Sequence, residues 1–188
     1  MNNPRIFSEK LFLIILILGS LILTNCQQKL TAKSMKISSP NFINNTLIPA
    51  KHTCQGLNTS PELHISEVPE DTKSLAIIME DPDAPSGTWT HWLIWNIDPK
   101  TTVIQENSIP NSAIQGENSL PHNAYTGPCP PSGAHRYFFK LFALKSKLNL
   151  PTGSTKAELL VALTDQIIEE AQLMGTYRRS GNDQMYQD

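Results

Sequence analysis

The chain has 188 residues, of which 39% are hydrophobic and 17% charged, with a formal net charge of −2. That length suits one domain. The apolar content is too high for a disordered chain and too low for several membrane spans, and a near-neutral charge is not the basic surface that a grip on nucleic acid needs. Fourteen prolines and nine glycines against 7% aromatics point to short elements and many turns.

The apolar residues begin in one block. Residues 11–23 read LFLIILILGSLIL, preceded by Arg5 and Lys10 and followed by Thr24, Asn25 and Cys26. A basic start, a short apolar run and a polar cleavage region make a secretory signal. The run would span about 20 Å as a helix, short of the hydrocarbon core of about 30 Å. Its ending resembles a bacterial lipoprotein signal, in which the cysteine becomes the lipidated first residue, although Asn25 stands where a smaller residue is usual. The expected organisation is a signal peptide over residues 1–25, a lipid-anchored tether over 26–34 starting at Cys26, and one domain over 35–188. The protein is then exported to the cell envelope and held at a membrane.

Within the domain the signals are mostly of strands. Residues 36–38 and 63–65 are weak candidates. Residues 74–79 (SLAIIM) form a nearly continuous apolar run, as in a strand covered on both faces. Residues 90–97 (THWLIWNI) alternate, with His91, Leu93, Trp95 and Ile97 on one face and Thr90, Trp92, Ile94 and Asn96 on the other. Residues 135–145 (HRYFFKLFALK) behave alike, with His135, Tyr137, Phe139, Leu141 and Ala143 together. One helix is expected near the C-terminus. Thr155 and Glu158 form a capping box, Leu160, Leu163, Ile167, Ala171 and Met174 follow at helical spacing, and Gly175 reads as the stop.

Residues 99–134 are rich in Asn, Ser, Gly and Pro, without a long apolar run, and end in the stiff segment 127–133 (GPCPPSG). Long stretches of this kind inside a compact domain are often functional. His91 and His135 each begin a strong strand, and Asp81 follows another in Asp81-Pro82-Asp83-Ala84-Pro85. Taken singly, each has a plain structural reading: strand-end histidines and turn-forming Asp and Pro. Taken together, they would surround one pocket if the strand ends converge. Two imidazoles and a carboxylate offer both charge states near neutral pH, and a protonated histidine holds an anion. No G-x-S-x-G elbow, H-E-x-x-H pair, Walker A loop or G-x-G-x-x-G loop is present.

Three segments carry a family resemblance: Asp81-Pro82-Asp83-Ala84-Pro85 with Trp89-Thr90-His91-Trp92; residues 127–137 (GPCPPSGAHRY); and residues 53–61 (TCQGLNTSP). Together they resemble the phosphatidylethanolamine-binding protein family, which includes the Raf kinase inhibitor proteins, over roughly residues 34–178. The resemblance implies a mainly β fold of antiparallel sheets with one main C-terminal helix. It implies a pocket for phosphate, carboxylate or a phospholipid head group, lined by Asp81, His91 and His135. Trp89 would sit beside it, Cys129, Pro130 and Pro131 would form its loop wall, and Tyr137 a side wall. With Cys26 lipidated, Cys54 and Cys129 remain as candidates for one disulfide, against the alternative of two free thiols.

The expected function is non-enzymatic binding of small anionic ligands or lipid head groups, with no cofactor, no metal and no nucleic acid. A protein partner is a further expectation. The alternatives are a protease- or kinase-inhibitor-like interaction module and a metal-dependent or acid–base hydrolase using the same three side chains.

Overall fold

The computed structural model describes residues 33–181. The expected signal peptide and Cys26 lie outside the described residues, among which no helix is long and apolar enough to cross a membrane.

The described chain forms nine strands and one α-helix. Strands β1 (Lys36–Ser38), β3 (Leu63–Ser66) and β6 (Val103–Ile104) make a small antiparallel sheet in the order β1-β3-β6. Strands β2 (Thr46–Leu47), β4 (Ser74–Asp81), β5 (Trp89–Ile97), β7 (Ile114–Gln115), β8 (Ala134–Leu144) and β9 (Ile167–Arg178) make a larger one in the order β2-β9-β8-β4-β5-β7. Its neighbours are antiparallel except at one edge, where β2 runs parallel to β9.

The apolar runs account for this order. All eight residues of β4 are buried, which fits a strand with hydrogen-bonded neighbours on both edges and packed layers on both faces. One face of the large sheet packs on the small sheet through Ile77, Met79, Phe139 and Leu141 against Ile37, Leu63, Ile65 and Ile104. On the other face Ala76, Ile78, Leu93, Trp95 and Phe142 lie under Leu159 and Leu163 of α1 (Lys156–Leu163). The mainly β fold with a single C-terminal helix is therefore present, as three layers: small sheet, large sheet, helix.

The helix is much shorter than its periodicity predicts. Thr155 and Glu158 do form the reciprocal capping box, but α1 ends at Leu163. Asp165 then takes a left-handed conformation at φ 60°, which stops a helix, and residues from Ile167 onward are strand. Their spacing fits both periods. The ladder with β8 decides between them, running from Ala134↔Arg178 to Leu144↔Ile167 and burying Leu173 and Tyr177 in the core. Gly175 is no helix stop: a Cβ there would stand 2.4 Å from Ile48, so the missing side chain lets Ile48 pack on β9.

Strict alternation also fails in β5, at two bulges. The register with β4 slips between Leu75↔Ile97 and Ile77↔Ile94. Asn96 stands there at φ 58°, its amide exchanging two hydrogen bonds with the Leu148 backbone (2.8 and 2.9 Å). The extra residue turns Ile97 onto the face of Ile94 and Trp92. The second slip lies between Met79↔Trp92 and Glu80↔Thr90 and leaves His91 as the unpaired residue. A bulge re-aims a side chain. Here it takes His91 away from Leu93 and Trp95 and sets it edge-on to Tyr137, with ring centroids 5.2 Å apart.

Candidate functional site

Because β4 is antiparallel to both β5 and β8, its C-terminal end meets the N-terminal ends of its two neighbours. Asp81 closes β4, His91 is the third residue of β5 and His135 is the second residue of β8. All three side chains are buried, at 3%, 4% and 8% exposure. They border one cavity of about 340 Å³.

Each histidine has one ring nitrogen committed. His135 Nδ1 lies 2.8 Å from Asp81 Oδ2, and His91 Nδ1 donates to the Thr126 carbonyl at 2.7 Å. In both rings Nε2 is the nitrogen left for the cavity that they share. Burial lowers the pKa of His91, opposed by the Thr126 hydrogen bond and the Asp81 charge and reinforced by the charge of His135. The other oxygen of Asp81, Oδ1, accepts the Asp83 N–H at 2.8 Å. Asp83 in turn receives three hydrogen bonds from Arg136, one from its backbone and two from its guanidinium (2.6–2.9 Å). That pairing holds the Asp83 carboxyl down at about 2 and ties the loop after β4 to β8.

The remaining wall comes from the turn-rich segment. Cys129, Pro130 and Pro131 border the cavity on one side, and Trp89, Ala84 and Pro85 on another. Tyr137 is placed differently from the expected side wall. It is fully buried, packed edge-on against His91, and outside the lining. Burial first, and then the Asp81 charge, push its phenol above the usual range.

The segment that reads as structureless is pinned at many points. Thr90 and Ser119 exchange hydrogen bonds, the Thr90 N–H to Ser119 Oγ (2.9 Å) and the Ser119 N–H to the Thr90 carbonyl (3.0 Å). The Asn118 amide donates to the Ala124 carbonyl (2.8 Å) and to Thr126 Oγ1 (2.9 Å). The Thr126 N–H donates to the His91 carbonyl at 3.0 Å. Cys54 and Cys129 are joined as a disulfide, with Cα atoms 5.4 Å apart, and the Cys54 N–H donates to the Pro128 carbonyl at 3.1 Å.

Sequence reasoning missed Arg136, Asp83 and Thr126 as parts of the site, and Asn58, whose Oδ1 accepts the Gly127 N–H of the cavity wall at 2.7 Å. Arg136, Asp83 and Asn58 fall inside the three quoted segments, so their position was visible and their role was not. Thr126 acts through its backbone, which no side-chain pattern reveals. Among the described residues no group of three His, Cys, Asp or Glu side chains is arranged to hold a metal ion.

One residue before Asp81, Glu80 points to the opposite face of β4. Its carboxylate pairs with Lys140 of β8 and Lys156 of α1. Burial alone would raise its pKa, but the two lysines together hold it below the ordinary carboxylate value.

Strand order, helix and site together define a class, and comparison with known proteins names it. A profile of the phosphatidylethanolamine-binding protein family matches residues 38–178, and the chain belongs to that family. It is 45% identical over 150 residues to a UPF0098 protein of Methanothermobacter thermautotrophicus, covering 77% of this chain and 99% of that one. A UPF0098 protein of Chlamydia pneumoniae is 43% identical over 151 residues, covering 78% and 100%. Two solved structures are similar. A phosphatidylethanolamine-binding protein homologue of Chlamydia trachomatis has a TM-score of 0.75 at 40% identity, covering 78% of this chain and 98% of that one. Escherichia coli YbcL, described as a member of the mammalian family, has a TM-score of 0.74 at 32% identity, covering 78% and 99%.

Proposed function

We propose that this protein binds small anions bearing a phosphoryl or carboxyl group, free or as a lipid head group, and performs no chemistry on them. The observation that carries the reading is the pair of imidazoles whose Nδ1 atoms are both engaged and which border one cavity with Nε2. Two Nε2 atoms converging on a small cavity, donors in the imidazolium form, one ring backed by a carboxylate, suit an anion with several acceptor oxygens. The proline-rich wall keeps the cavity open at little entropic cost on binding. Its mostly apolar rim gives room for the rest of the ligand beside the charged group.

The binding reading is favoured over catalysis because among the described residues no hydroxyl or thiol is hydrogen-bonded to either ring, and Cys129 is tied to Cys54. A nucleophile needs an adjacent base. The expected Cys26 anchor would hold the pocket at a membrane face of the cell envelope, where head groups are abundant. A protein partner would then meet the same rim.

Calorimetric titration with inorganic phosphate and with phosphorylethanolamine tests the reading. Saturable heat with either ligand, lost in the His135→Ala variant, is the expected result. No saturable binding of either ligand up to tens of millimolar would overturn it.

A further inference from the structure

The peptide group between Thr126 and Gly127 is held from both ends. Its carbonyl accepts from His91 Nδ1 at 2.7 Å. Its N–H donates to Asn58 Oδ1 at 2.7 Å. In a trans peptide the two groups point in opposite directions, so Asn58 on one side and His91 on the other fix a single orientation of one rigid plane. Asn58 is itself in the left-handed conformation at φ 56°, which asparagine tolerates better than most residues. Gly127 leaves no room for a side chain: a Cβ would lie 2.3 Å from the His52 carbonyl oxygen and 2.7 Å from Asn58 Oδ1.

We propose that Asn58 is a positioning residue that sets the tautomer of His91 through this peptide, and so makes anion binding at that ring depend on proton uptake. Which nitrogen of a neutral imidazole carries the proton is set by the hydrogen bond that the other nitrogen makes, or by the bond at the same atom. With the carbonyl of residue 126 facing it, Nδ1 must be the donor, and neutral His91 presents the Nε2 lone pair to the cavity. A lone pair repels an anion. Only after a proton is added at Nε2 does the ring become a donor on that side. If the 126–127 plane turned over, the Gly127 N–H would face Nδ1 and the neutral ring would carry its proton on Nε2. It would then donate to an anion with no proton taken up. A glycine after the hinge permits that rotation, and the partner of the N–H, Asn58, opposes it. The groups facing His91 are Asp81 of β4, His135 and Tyr137 of β8, and the Thr126 carbonyl. Of these only the carbonyl bonds the ring, which leaves the tautomer to the peptide.

The coupling to anions rests on the binding reading above; the tautomer does not, and the experiment separates the two. Long-range 1H–15N spectra of the imidazoles are recorded at pH 8 on the ligand-free protein, for the parent, Asn58→Gly and Asn58→Asp. Glycine keeps the left-handed backbone without the acceptor, and aspartate keeps the acceptor. The parent and Asn58→Asp are expected to show neutral His91 protonated on Nδ1. Asn58→Gly is expected to show a mixture or the Nε2 form. A parent spectrum with His91 protonated on Nε2 overturns the proposal even if no variant folds. An Asn58→Gly spectrum with the tautomer unchanged in a folded protein overturns it too. Inorganic phosphate is then titrated at pH 6 and pH 8. A loss of the pH dependence in Asn58→Gly, restored in Asn58→Asp, supports the coupling. A tautomer shift in Asn58→Gly with no phosphate binding by any form would leave Asn58 in its positioning role and remove the anion reading instead.

Discussion

Asp81 and Glu80 are consecutive carboxylates at the end of one buried strand, both nearly inaccessible, at 3% and 7% exposure. They face opposite sides of the sheet, and their partners differ in one respect. The two lysines of Glu80 come from the strand and the helix that it fastens together, and the remaining N–H donors of a lysine ammonium rotate and have no fixed direction. The partner of Asp81 is an imidazole, which has two nitrogens in fixed opposition: one engages the carboxylate and the other reaches a cavity. A buried carboxylate is therefore a clamp or a site according to whether its partner has a second directed donor. Burial and charge alone do not distinguish the two.

That contrast can be broken by exchange of effects. Replacing Glu80 by Ala leaves two lysines without their shared carboxylate. Because both lysines are partly exposed, the loss should be about 2 kcal/mol rather than the full cost of a buried orphan charge. Urea unfolding measures it, and phosphate affinity should stay within about twofold. A Glu80→Ala protein of unchanged stability would remove the clamp half of the comparison. His135→Ala should act on binding as well as on stability. Phosphate affinity should fall by about tenfold or more, as expected for losing a charge-assisted hydrogen bond, and stability should fall by about 1–3 kcal/mol, because the buried Asp81 carboxylate loses its imidazole partner.

Two smaller effects sharpen the contrast through pH. The folded-state pKa of Glu80 lies below its unfolded value of 4.5. Its contribution to stability is therefore complete above that value and is lost as pH falls through the folded one. The Glu80→Gln variant should show a flatter decline of stability below about pH 5 than the parent, read from midpoints of chemical unfolding. For the site, burial lowers His91, so at neutral pH the ring is mostly uncharged and a bound anion must draw a proton to it. Phosphate affinity should rise severalfold as pH falls from about 8 towards 6. The binding enthalpy should also vary with the ionisation heat of the buffer. An affinity flat over that range, with the same enthalpy in every buffer, would assign the anion to backbone N–H groups.

The parts of this molecule that were legible in the sequence are those where one physical signal dominates. The runs that become β4, β5 and β8 carry large apolar residues on both faces, as interior strands do. The capping box at Thr155 marks a helix start by specific hydrogen bonds. The errors lie where two periods coexist or where one residue is inserted. From Leu160 to Met174 the apolar residues satisfy helical spacing, and only the partner strand β8 decides against it. His91 and Ile97 change faces because bulges at His91 and Asn96 interrupt alternation, and a bulge leaves no composition signal apart from an asparagine tolerant of positive φ. Asp81, His91 and His135 were visible as strand-end polar residues. Asn58 and the 126–127 peptide were not, since their role depends on two loops about seventy residues apart meeting edge to edge.

The strand order of the large sheet also constrains how the molecule is made. β4 and β5 pair with each other early in the chain, but the other edge of β4 waits for β8, and β8 waits for β9. A chain emerging from its N-terminus must therefore carry the eight-residue SLAIIMED strand with one edge of unpaired N–H and C=O groups until residue 144 is out. Non-local pairings of this kind are slow to form, and unpaired edges invite association with other chains. The pocket is among the last features to close, because it needs the ends of β4, β5 and β8 and the bridge from Cys54 to Cys129 together. A ribosome-bound chain that stops before residue 135 has most of its apolar core residues and most of the residues that line the pocket, but neither His135 nor the strand that brings them together.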